Sequence, residues 1–116
     1  MPRPASTVMV IRDAEASLEV LMLRRSLESV FVRGAYVFPG GAVDPADGEP
    51  ELLGRCTGHT DAQVSAVLDL DSGGLAYWVS ALRECFEEAG VLIATRANGD
   101  SLSFDDQMCI RDRSCP

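Results

Sequence analysis

The sequence has 116 residues, 47% of them apolar and 24% charged, which bounds one domain with room for a single core. Its formal net charge of −8 excludes the basic surface that nucleic-acid binding needs, and no apolar run is long enough to span a bilayer. No secretory pattern follows Met1, so the cytoplasm is the expected compartment.

All ten basic residues are arginine, which excludes a lysine nucleophile. The cysteines, Cys56, Cys85, Cys109 and Cys115, lack zinc-ligand spacing and are expected as free thiols.

In chain order, the apolar run 7–12 predicts a strand. A polar turn at 13–17 and a second strand at 18–24 complete an antiparallel hairpin. Arg24 and Arg25 close it and are candidates to face an anionic ligand. After a linker over 26–34, Ala35-Tyr36-Val37-Phe38 suits a short strand that Pro39 ends. Gly40-Gly41 reads as a turn that permits close backbone approach. Residues 42–58 read as loop. Thr60 and Gln63 form a capping box opening a helix to about Leu70, and Asp71-Ser72-Gly73-Gly74 breaks it. His59, the single histidine, is expected at the surface.

The spacing predicts one amphipathic helix over 75–89. Leu75, Val79, Leu82, Phe86 and Ala89 form an apolar stripe, widened by Trp78 and Cys85, with Cys85 buried. Glu84, Glu87 and Glu88 share the other face. Gly90 ends the helix in the left-handed region. Like charges so spaced disfavour a helix, and two of them lie at its negative end. Such a cluster suits a hard divalent cation, Mg2+ or Mn2+; a solvated acidic face is the plain alternative. Arg83, four residues before Glu87, is expected to orient it. A buried strand is expected over 91–95, then a turn at Asn98-Gly99-Asp100 and a return strand over 101–104. Residues 105–116 have no apolar period and are expected as an irregular tail, with 108–116 read as non-native sequence.

Gly41, Asp47 and the run Arg83-Glu84-Cys85-Phe86-Glu87-Glu88-Ala89-Gly90-Val91 resemble a Nudix box. That box is a glycine, five residues, a glutamate, seven residues, then Arg-Glu-U-x-Glu-Glu-x-Gly-U with U apolar. Two departures stand out. Asp47 replaces the usual glutamate, and an insertion stretches the second gap to 35 residues, 48 through 82. A split box after Phe38-Pro39-Gly40-Gly41 is similar to the branch containing peroxisomal-type coenzyme A diphosphatases. Leu27 and Phe31 stand where the stricter coenzyme A signature has basic residues.

The resemblance covers about Val8 to Thr95. It implies an α/β fold, an α/β/α sandwich around a mixed sheet, with one domain over 1–104 truncated at its C-terminus and of marginal stability. It implies metal-dependent hydrolysis of a nucleoside diphosphate linked to a group X, with coenzyme A or an acyl derivative first. Glu84, Glu87, Glu88 and the Gly40 carbonyl would hold Mg2+ or Mn2+, with Arg83 orienting Glu87. Arg24, Arg25 and Phe38 would touch substrate, and Gly41, Asp47 and Gly90 would shape the box. An inactive Nudix-like module binding a nucleotide or a partner is the alternative.

Overall fold

A computed structural model describes residues 2–28 and 33–100. Its strands are β1 (Ala5–Thr7), β2 (Ile11–Ala14), β3 (Ser17–Val20), β4 (Leu23–Arg24), β5 (Tyr36–Val37) and β6 (Gly40–Ala42). A 3-10 turn at Pro45–Gly48 precedes the helices α1 (Pro50–Leu53), α2 (Asp61–Val67) and α3 (Gly74–Ala89). Within the described residues the strands form three antiparallel ladders, β1–β6, β2–β3 and β4–β5.

Each expected N-terminal strand is divided because its partner changes along its length. Val8 donates its N–H to Pro39, whereas Val10 accepts from Leu21. The run therefore leaves β6 and joins β3 within three residues. The second strand divides in the same way, β3 pairing with β2 and β4 with β5. The expected hairpin is present as β2–β3, with Ala14 opposite Ser17 and an exposed Arg12–Glu19 ion pair across it. Gly40-Gly41 is not a turn. It is part of β6, with Thr7 opposite Gly40 and Ser6 opposite Gly41. A Cβ on Gly40 would collide with the Ser6 carbonyl, so glycine is what lets these strands approach.

The helix α3 begins one residue before the expected start and ends at Gly90, whose φ of 70° is the left-handed cap. Its packing differs from the expected stripe. Leu75, Val79 and Cys85 are buried, while Trp78, Leu82 and Phe86 remain more than a third exposed. The reason is the small residues on α3. Ser80 donates to the Ala42 carbonyl, and the Ser6 hydroxyl donates to the Tyr77 carbonyl, so α3 lies close against β1 and β6 along a polar seam. That seam draws the Arg83–Glu84 edge inward. Trp78 and Leu82 instead line a groove with Leu92 and Ile93, and His59 meets Trp78 edge to face with ring centroids 5.0 Å apart.

The inserted segment is packed into this arrangement. The Thr60–Gln63 capping box is formed and opens α2, which ends at Val67. The Asp61 carboxylate accepts from the N–H groups of Gly73 and Leu75, both at 3.0 Å. It thereby caps α3, whose own N-cap, Gly73, has no side chain to do so. Gly74 donates to Ser65 Oγ, and its Cα sits so near Ser65 that a Cβ would lie 2.6 Å from Ser65 Cα.

The strand expected over 91–95 is absent. Leu92 and Ile93 are exposed, and no ladder longer than an isolated bridge at Thr95 forms there among the described residues. An extended run without a neighbour to take its N–H groups does not become a strand. Asn98, Gly99 and Asp100 do turn, with the Arg96 N–H bonded to the Asp100 carbonyl. The expected return strand, the tail and Phe31 lie outside the described residues. No helix among the described residues is long and apolar enough to cross a membrane.

Candidate active site

The site is assembled around one guanidinium. Arg83 lies on the side of α3 that faces β6 and the 3-10 turn. Its Nε donates to Asp47 Oδ1 at 2.7 Å, and one terminal nitrogen donates to Asp47 Oδ2 and to the Ala42 carbonyl, both at 3.0 Å. The other terminal nitrogen donates to Glu84 Oε1 at 3.0 Å and Glu87 Oε2 at 3.1 Å. An arginine has five N–H donors, and these five contacts can use them all. The Asp47 carboxylate holds Arg83 more firmly protonated than usual, with Glu84 adding to the effect.

Asp47 is placed by its own turn. It is 1% exposed, and its Oδ2 accepts from the Asp44 N–H at 2.7 Å, closing a capping box with Pro45 in the first turn. The Arg83 hydrogen bonds hold its carboxyl below the usual range, against the opposing effect of burial. A buried carboxylate with a bidentate arginine and a backbone donor is fully partnered.

The glutamates are set against β6. The Glu84 carboxylate packs on Gly41, where a Cβ would overlap it. Glu88 Oε1 accepts from the Gly40 N–H at 3.0 Å. Gly40 and Thr7 form a non-hydrogen-bonded pair of the ladder, because Val8–Pro39 and Val43–Pro4 bonds lie two steps apart from the Ser6–Gly41 pair. Both the N–H and the carbonyl of Gly40 therefore face away from β1, on the side Glu88 occupies. Glu87 is far more open than Glu84, its side chain 55% exposed against 15%.

Among the described residues no three acidic, thiol or imidazole groups stand close enough to hold a metal ion as they are placed. The donor chemistry nevertheless fits a hard divalent cation: only oxygen ligands, three carboxylates and a backbone carbonyl, at one strand end. Here Arg83 supplies the positive charge between Glu84 and Glu87.

A cleft of about 730 Å³ opens beside Glu88, Gly40 and Gly41 and is lined further by Thr7, Met22, Arg25, Tyr36 and Phe38. Arg25 and Phe38 thus share the cleft. Arg24, opposite Tyr36 in the β4–β5 ladder, is exposed and does not line it. Cys85 is fully buried, and burial together with the Glu88 charge raises its thiol pKa, the opposite of an activated nucleophile. The sequence reading assigned Arg83 to Glu87 and missed Asp47 as its principal partner. The available signal was Asp44-Pro45-Ala46-Asp47, a cap that aims a second acid inward. Tyr36 and Met22 were also missed as cleft residues.

No family model matches this chain. The chain is 36% identical to a Nudix hydrolase from Alicyclobacillus acidocaldarius of known crystal structure, with a TM-score of 0.63 over 86% of this chain and 42% of that one. It is 34% identical over 95 residues to the acyl-coenzyme A diphosphatase NUDT19 of Gallus gallus, covering 65% of this chain and 25% of that protein. To the Xenopus laevis protein of the same name it is 30% identical over 103 residues, covering 72% of this chain and 27% of that one.

The chain belongs to the Nudix hydrolase family. Its fold is of the Nudix α/β type. It spans about a quarter of the length of the curated relatives it matches. The segment between Asp47 and Arg83 carries the 3-10 turn's last residue, α1 and α2. Asp47 meets Arg83 in two bonds.

Proposed function

We propose that this chain forms the catalytic part of a metal-dependent hydrolase that cleaves the diphosphate bond of a nucleoside diphosphate linked to another group. Coenzyme A or an acyl derivative is the first candidate substrate, because the curated relatives carry the name acyl-coenzyme A diphosphatase. The observation that carries the reading is that Glu84 and Glu88 lie against Gly41 and Gly40, Arg83 joins Glu84 to Glu87, and Glu88 lines a cleft shared with Arg25.

The residues that would hold Mg2+ or Mn2+ are Glu84, Glu87, Glu88 and the Gly40 carbonyl. Held there, the cation would supply positive charge against the diphosphate and Lewis acidity toward water. The chain's own part is to place charge and exclude misorientation. Arg83, fixed by buried Asp47, keeps Glu84 and Glu87 on the strand side of α3. Gly40 lets β6 lie close to β1 and Gly41 leaves room for the Glu84 carboxylate against the strand. Arg25 offsets phosphate charge in a domain whose net charge is −8.

The test is hydrolysis of coenzyme A, ADP-ribose, NADH and dinucleoside polyphosphates with Mg2+ and with Mn2+, with the products identified. Glu87→Gln and Glu88→Gln are expected to abolish metal-dependent turnover with an unchanged circular dichroism spectrum. Full activity in either variant removes the metal assignment. A second reading, a nucleotide-binding module without turnover, is favoured by the carboxylates being engaged by Arg83 and the Gly40 N–H. It predicts nucleotide binding by the wild-type chain with no product.

A further inference from the structure

The cleft has two chemically different ends, and only one is accounted for by the box. Glu88, Gly40 and Gly41 form the end where phosphates would sit. Along the same wall the chain runs from Gly40 back through the bend at Pro39 and Phe38 to Tyr36 on β5. Tyr36 is 65% exposed on β5, a two-residue strand whose other residue, Val37, is half-buried. Met22, 38% exposed, lies in the same wall, and Arg25 lines the cleft with them.

An aromatic ring held by a strand but left open toward a cleft is unusual for a core residue. Its backbone is fixed by the β4–β5 ladder, where Arg24 faces it. The ring thus has a rigid base and an accessible surface. A polarisable thioether and a ring together suit a flat, aromatic ligand group. The carboxylate and glycine end would take the phosphates of the same molecule only with the divalent cation of the proposed function bound there.

We infer that Tyr36 is a specificity-determining residue: its ring stacks on the nucleobase of a nucleoside diphosphate whose phosphates lie at Gly40 and Gly41. This rests on the proposed function for the phosphate end only. The ring end stands on the exposure and placement of Tyr36.

The experiment titrates ADP and, separately, inorganic pyrophosphate into wild-type protein and into the Tyr36→Phe, Tyr36→Leu and Tyr36→Ala variants, by calorimetry. Steady-state kinetics on coenzyme A with Mg2+ run alongside. Base stacking on an aromatic side chain corresponds to a loss of about tenfold in affinity when the ring is removed. Tyr36→Leu and Tyr36→Ala are expected to weaken ADP about tenfold and to leave pyrophosphate unchanged. Tyr36→Phe, which keeps the ring, is expected to stay within about twofold for both. In the kinetics the ring-less variants raise KM by the same factor and leave kcat in place. Equal ADP affinity in all four proteins overturns the inference. So does a parallel loss of ADP and pyrophosphate, which would mean a disturbed phosphate end. Ring-dependent ADP binding without any hydrolysis by the wild type supports Tyr36 and removes the hydrolase reading instead.

Discussion

Arg83 and Asp47, 36 residues apart in sequence, are joined by two parallel hydrogen bonds of 2.7 and 3.0 Å, with the carboxylate 1% exposed. This pair fastens α3 to the 3-10 turn across the whole inserted segment. Because the same guanidinium also holds Glu84 and Glu87, the pair couples the stability of the turn to the position of the acidic face.

The first prediction concerns that coupling. Arg83→Lys keeps the charge but cannot form the planar fork, so it leaves part of a buried carboxylate unpaired. A loss of about 3 kcal/mol is expected in urea unfolding. Asp47→Glu restores the residue usual at this box position, yet it is expected to destabilise by about 1–2 kcal/mol. The added methylene has no room at a fully buried site and breaks the short Asp44 bond. A stabilised Asp47→Glu protein would show that the turn adapts to the longer side chain.

Acid is expected to loosen the same contacts. Asp47 has its carboxyl pKa lowered, chiefly by the Arg83 hydrogen bonds. Asp61 has its own lowered by the Leu75 and Gly73 N–H groups. A lowered folded pKa gives stability that is complete above the unfolded value and lost as pH falls through the folded one. Both groups therefore act below about 4, starting from the model-compound value of 3.8. Melting temperature is expected to be flat in this respect from pH 7 to 5 and to fall below pH 4. Asp61→Asn is expected to make that acid slope shallower in differential scanning calorimetry.

The two glycines of β6 separate stability from activity. On Gly40 a Cβ meets the Ser6 backbone carbonyl, which is fixed in the β1–β6 ladder. Gly40→Ala is therefore expected to lower the melting temperature strongly. On Gly41 a Cβ meets the Glu84 carboxylate, the far end of a flexible side chain. Gly41→Ala is expected to melt within a few degrees of wild type while losing at least tenfold in turnover, about 1.4 kcal/mol in the barrier. Equal melting losses in the two variants would contradict the assignment of separate neighbours.

What sequence reasoning could reach was local. The span of α3 follows from apolar recurrence and the Gly90 stop, and the Thr60–Gln63 box lies within four residues. Pairings between distant segments were out of its reach. Gly40-Gly41 looks like a turn until Ala5–Thr7 is laid beside it, and nothing near Gly40 announces that partner. The apolar stripe of α3 was legible, but which part of it is buried was decided by Ser80, Ser6 and the Arg83 network. Clustered glutamates pointed to the site; the buried acid that holds Arg83 needed the folded turn to be seen.

The last prediction tests whether the insertion serves α3 or merely interrupts the box. Asp61, at the first position of α2, reaches over to accept two N–H bonds at the start of α3. Its neighbour in function is Asp69, a non-glycine residue at a φ of 56° just past the end of α2. Left-handed geometry costs a side-chain-bearing residue about 1 kcal/mol, and glycine removes that cost. Asp69→Gly is therefore expected to raise stability by about that amount without altering turnover. Asp61→Ala strips the start of α3 of its acceptor and is expected to lower the melting temperature and to raise amide hydrogen exchange at Gly73 and Leu75. Because α3 carries Arg83 and all three glutamates, turnover should fall with it. If Asp61→Ala leaves exchange at those two amides unchanged, α3 holds its own first turn and the insertion is only a passenger.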